Sequence, residues 1–120
     1  LHRPKMDWEA ARKREDLTTV QGQIFQGIRR MLEIRRNCEY FRSDLKSTPV
    51  DLDNPAVFGC HKENKMMVLA NFSEQEQWVD ADRFSWFGLP GEMTDMLTGR
   101  PVRSYSNKIL LGPYEYLWLE

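Results

Sequence analysis

The stretch "VLANFSEQEQWV", residues 68–79, changes character halfway along. Val68 to Phe72, with Asn71 among them, is a short apolar run of the kind that forms a strand buried on both faces. Ser73 to Gln77 is wholly polar, and Trp78-Val79 is apolar again. That alternation predicts a strand, a solvent-facing turn and a second strand entering a core. Outward from it, "AVFGCH" precedes the polar turn Glu63-Asn64, and "MMVLANF" follows it. Two apolar runs around such a turn predict a β-hairpin, with Met66–Phe72 as a central strand paired to Ala56–His61.

The first third of the chain has a different period. Asp7 is a candidate N-cap for a short helix over Trp8–Arg14, with Glu9 in the first turn where the helix dipole favours an anion. Thr18 or Thr19 caps a longer helix. In it Val20, Ile24, Ile28, Met31 and Arg35 step by three and four along one face, and Phe25 and Leu32 widen the apolar stripe. A stripe that broad predicts a helix covered on more than one side. Gly22 and Gly27 each cost up to about 1 kcal/mol relative to Ala in a helix interior. Close approach of another backbone is the compensation expected of them.

The remainder reads as short strands. "QEQWVDADRF" gives one; Pro90-Gly91 and Thr98-Gly99 bracket another at Met93–Leu97; a last pair surrounds Gly112-Pro113. Tyr114, Tyr116 and Trp118 alternate with Glu115, Leu117 and Leu119, so the closing strand is docked rather than frayed. Helices first and strands after predict an α+β chain: one short and one long helix, then an antiparallel, sandwich-like domain of about six to eight strands.

The chain has 120 residues, enough for one modest core, and 41% hydrophobic with 12% aromatic residues argues for a packed globule. A net charge of −1 supplies no field to recruit nucleic acid or an anionic membrane. Charge is uneven: residues 1–46 hold 11 Lys/Arg against 7 Asp/Glu, and residues 47–120 hold 6 against 11. Cys38 and Cys60 lack metal-ligand spacing and read as reduced thiols in a cytoplasmic setting, with no metal and no cofactor. No apolar run approaches the roughly 20 residues of a spanning helix. The first residue is Leu1, and the expectation is a piece of a longer chain.

Chemistry-bearing patterns are sparse. There is no G-x-S-x-G, P-loop or H-E-x-x-H. His61, next to a turn, reads as a surface histidine. "LHRP" opens on a Pro-fixed turn, and its His2-Arg3 pair has donors suited to a polyol or a carboxylate. The pairs Asp51/Asp53 and Asp80/Asp82 sit in polar loops or at strand ends and read as solvated, since acid–base work needs one carboxylate in an apolar pocket. Trp78, Trp86, Phe87, Tyr114, Tyr116 and Trp118 read as core, with a sugar-stacking platform as the alternative. No catalytic residue is assigned within the chain.

The order of these pieces resembles a known family. "IRRMLEIRRNCEYF", "NPAVFGCHK", "MMVLANFSEQEQWV", "DMLTGRPV" and "ILLGPYEYLWLE" follow one another as at the C-terminal end of α-amylase-superfamily enzymes, glycoside hydrolase family 13. "HRPKMDWEAARKREDLTTVQGQIFQGIRRML" looks most like the amylosucrases, which move glucose from sucrose onto an α-glucan. "NPAVFGCHK" and "LGPYEYLWLE" are similar to trehalose synthases too.

The resemblance implies that residues 1–44 are the tail of a catalytic (β/α)8 barrel, including its last helix. It implies that residues 45–120 are the C-terminal β domain, and that the catalytic carboxylates lie upstream of Leu1. His2 and Arg3 would end the last barrel loop, as supports near the glucose pocket. The implied partners are the missing barrel and, for the whole enzyme, sucrose or α-glucan, with neither nucleic acid nor membrane. A helix deprived of its barrel would expose apolar surface and form a homodimer through that face. Two rivals remain: an autonomous carbohydrate-binding module using Trp86 or Trp118, and a protein-interaction domain using Arg29, Arg30 and Arg36.

Overall fold

The structure is a computed structural model that describes residues 4–85 and 92–120. The chain divides into two compact units, Leu1–Asn37 and Cys38–Glu120.

In the first unit, Asp7 caps α1 (Trp8–Arg12), its carboxylate accepting from the Ala10 N–H at 3.0 Å. The expected continuation to Arg14 is instead a 3₁₀ turn, Lys13–Glu15. A tight bend over residues 16–19 follows. The Asp16 carboxylate accepts from the Thr18 hydroxyl at 2.7 Å and from the Thr18 N–H at 2.9 Å. Those bonds, the hydroxyl's first, hold the Asp16 carboxyl below the usual carboxylate range. Thr19 then caps α2 (Val20–Asn37), its hydroxyl accepting from the Gly22 N–H at 3.1 Å.

The two glycines of α2 differ. A Cβ on Gly22 would lie 1.9 Å from the Asp16 carbonyl oxygen, so the bend closes onto the helix only because Gly22 has no side chain. A Cβ on Gly27 would meet nothing within 4 Å, so the expected close approach exists at Gly22 and not at Gly27. The Arg14 guanidinium lies 5.4 Å from the centroid of the Phe25 ring. Val20, Ile24, Ile28 and Leu32 are exposed, and Gly22 is the buried residue of the helix.

The second unit holds eight short antiparallel strands among the described residues, the α+β arrangement expected. β1 (Ser47–Pro49), β2 (Val57–Lys62), β3 (Met66–Asn71) and β8 (Tyr116–Leu119) form a sheet in the order β1-β2-β3-β8. β4 (Gln77–Asp80) pairs β7 (Lys108–Leu111), and β5 (Met93–Thr94) pairs β6 (Pro101–Val102). A short helix, α3 (Asp82–Ser85), follows β4. The strand expected over Met93–Leu97 is only two residues long. From Asp95 the chain turns, with the Asp95 carboxylate accepting from the Thr98 hydroxyl at 2.6 Å, and Gly99 taking a φ of +74°.

Turns set the register. Glu63 and Asn64 both adopt positive φ, and the Lys65 N–H returns to the Lys62 carbonyl at 3.0 Å. Ser106 and Asn107 do likewise between Tyr105 and Lys108, which exchange both backbone bonds. Such turns match the right-handed twist of the strands they join. One face of the four-stranded sheet contributes Val57, Met67, Leu69, Leu117 and Leu119 to the core. Val79 of β4 and Ile109 and Leu111 of β7 belong to the same cluster. Gly59 makes room there: a Cβ on it would lie 2.7 Å from Leu52 Cδ1.

Asn71 explains the opening stretch. It ends β3 pointing into the protein, only 3% exposed. Its amide donates to the Gln75 carbonyl at 2.7 Å and to the Gly112 carbonyl at 2.8 Å. Its side-chain oxygen accepts from the Ser73 N–H and hydroxyl at 2.9 and 2.8 Å. One residue thus folds the polar loop back on itself and ties it to the turn before β8. Val79 re-enters the core as expected, but Trp78 is half exposed.

Candidate functional site: an aromatic row on the outer sheet face

Side chains alternate across a strand, so the residues that do not enter the core share the outer face. Register places Phe58 of β2, Ala70 of β3 and Tyr116 of β8 in one row, and Cys60, Val68 and Trp118 in the next. The two rows have different fates. Trp118 is buried because the Phe41 ring lies over it, with centroids 4.6 Å apart and planes tilted by 50°. Phe41 comes from the 3₁₀ turn Glu39–Phe41, and the Lys62 ammonium sits 5.6 Å from its centroid. The other row is open: Phe58 is 48% and Tyr116 46% exposed.

Phe58 and Tyr116 flank the half-buried Ala70 from neighbouring strands, so their attachment points are about 10 Å apart, two strand spacings. Phe72, two residues beyond Ala70, is 72% exposed. Tyr114 stands beside it, its N–H bonded to the Ser73 carbonyl at 3.1 Å and its hydroxyl 3.5 Å from a Glu74 carboxylate oxygen. Tyr114 has a φ of +54° at the third position of the turn Gly112–Glu115, a place that suits glycine. The turn is closed by the Glu115 N–H on the Gly112 carbonyl at 3.1 Å. The Glu115 carboxylate adds a bond from the Gly112 N–H at 2.7 Å and pairs with Arg100. The arrangement offers flat apolar rings with phenol hydroxyls at their tips, a surface chemistry of binding rather than of bond-making.

The sequence-predicted residues fall as follows. His2, Arg3, Trp86 and Phe87 lie outside the described residues. Asp51, Asp53, Asp80 and Asp82 are exposed, as read; Asp51 and Asp80 each accept from the N–H two residues on, at 3.0 Å. His61 is not a surface residue: at 8% exposure it points inward from β2, and its Nδ1 accepts from the Asn64 N–H at 3.3 Å. The strand period, not the nearby turn, decides its place. Tyr114, Tyr116 and Trp78 are likewise not core; only Trp118 of the described aromatics named above is buried. Phe58 and Phe72 join the site unannounced by any motif; their signal in the sequence is the i, i+2 spacing to Cys60 and to Ala70, residues of the outer face.

The one buried carboxylate among the described residues is Asp95, which accepts from the Trp118 N–H at 3.1 Å, the Leu97 N–H at 3.3 Å and the Thr98 hydroxyl. Those donors occupy it in holding β8 to the β5 segment. Cys38 and Cys60 are free thiols, and burial pushes the Cys60 thiol up. Among the described residues, no group of three or more His, Cys, Asp or Glu could hold a metal ion, and no helix is long and apolar enough to cross a membrane.

No family model matches the chain. Solved structures that are similar in fold include two of AmyP. One is AmyP in complex with maltose, with a TM-score of 0.66 and 20% identity, covering 82% of this chain. The other is AmyP E221Q in complex with maltotriose, with a TM-score of 0.68 and 19% identity, covering 87%. The chain spans only 20% and 22% of those two chains.

Proposed function

We propose that this chain is the C-terminal part of a glycoside hydrolase family 13 enzyme of the amylosucrase type, and that it serves the catalytic barrel without performing chemistry itself. The observation that carries this reading is the fold likeness to about a fifth of AmyP, together with the ordered motifs of the sequence. In the parent, a barrel carboxylate would form a covalent glucosyl intermediate from sucrose, and a glucan hydroxyl or water would resolve it. The exposed stripe Val20, Ile24, Ile28 and Leu32 is, on this reading, the surface that the rest of the barrel covers in a cytoplasmic enzyme. Two measurements test it. Sucrose incubated with the 120-residue chain should release neither glucose nor fructose, and turnover would refute the non-catalytic role. The coding sequence upstream of Leu1 should encode barrel strands and catalytic loops; unrelated sequence there would refute the parentage.

A second reading has its own support in the open row Phe58, Tyr116, Phe72 and Tyr114. Exposed rings of this kind stack on the C–H faces of pyranoses, and both AmyP structures hold maltooligosaccharides. The row would then bind α-glucan and keep the parent on its polymer. Titration with maltotriose should alter the tyrosine fluorescence of the chain, and Tyr116→Ala should abolish the change. An unaltered spectrum at millimolar sugar would dismiss this reading and leave the first intact.

A further inference from the structure

We draw no further inference here: the strongest candidate, the exposed apolar stripe of Val20, Ile24, Ile28 and Leu32 along α2 with the open Gly27 position beside it, carries nothing because no feature of the structure shows what covers it.

Discussion

The side-chain amide of Asn71 donates to the Gly112 carbonyl at 2.8 Å, across 41 residues of sequence. It fixes where β3 stops, how the polar loop turns and where β8 begins. Asn71→Ala removes four hydrogen bonds at a buried position, leaving the Gly112 carbonyl only the Glu115 N–H and the Gln75 carbonyl only the Ser73 hydroxyl. The expected cost is about 3 kcal/mol, read as a lower urea midpoint at unchanged slope. A loss under about 0.5 kcal/mol would show that the loop holds itself.

The glycines of α2 should respond with opposite signs. Gly22→Ala forces a methyl into the Asp16 carbonyl and should cost about 3 kcal/mol of the first unit's stability. Gly27→Ala meets open space and should raise helicity, with a gain of about 0.5–1 kcal/mol. Circular dichroism at 222 nm on heating separates the two.

The two aromatics of β8 face the same way but differ in burial. Trp118→Ala opens a hole beneath Phe41 and should cost about 3–4 kcal/mol. Tyr116→Ala sits in the open row and should change the melting temperature little while removing any response to maltotriose. Equal destabilisation by both would mean that the open row is structural.

Cys60 is half-buried, and its thiol is pushed up by desolvation, partly offset by the Lys62 charge. Its thiolate is therefore scarcer at pH 8 than that of a free cysteine, and iodoacetamide should alkylate it more slowly. Because the folded form holds this proton more tightly than the unfolded form, its contribution is fully present below the ordinary thiol range. It fades as pH rises through the raised value, so alkaline unfolding should be milder in Cys60→Ser.

Asp16 gives the acid counterpart. Its carboxyl is lowered, so its stabilising bonds to Thr18 are present above the ordinary carboxylate range and are lost as pH falls through the lowered value. Thr18→Val removes the hydroxyl, the larger cause, and should move the Asp16 titration upward in carboxyl carbon NMR spectra.

Much of this fold was legible from local chemistry. Asp7 and Thr19 announced their helices, and Glu63-Asn64 announced the hairpin, because caps and turns are decided within four residues. Asn71 was visible only as an oddity in an apolar run, since its partner Gly112 lies far along the chain. His61 lies beside a turn, which suggests the surface, yet the alternation of β2 turns it inward. The aromatic row was hidden for a related reason. Whether Phe58, Trp118 or Tyr116 lies under cover depends on a single ring, Phe41, arriving from elsewhere. Periodicity says which residues share a face, and only tertiary structure says which end of that face is roofed.

The two borders of the main sheet are finished differently. At β8, Thr94 and Glu120 exchange backbone bonds and the Met96 N–H reaches the Trp118 carbonyl at 2.7 Å, so that border is occupied. At β1, the Val50 N–H turns inward to the Gly59 carbonyl at 2.9 Å, which by alternation leaves the ring nitrogen of Pro49 facing out. A rim of three residues ending in an imino acid is a poor template for a stranger's strand. Neither border therefore offers an open ladder on which a second copy could extend this sheet.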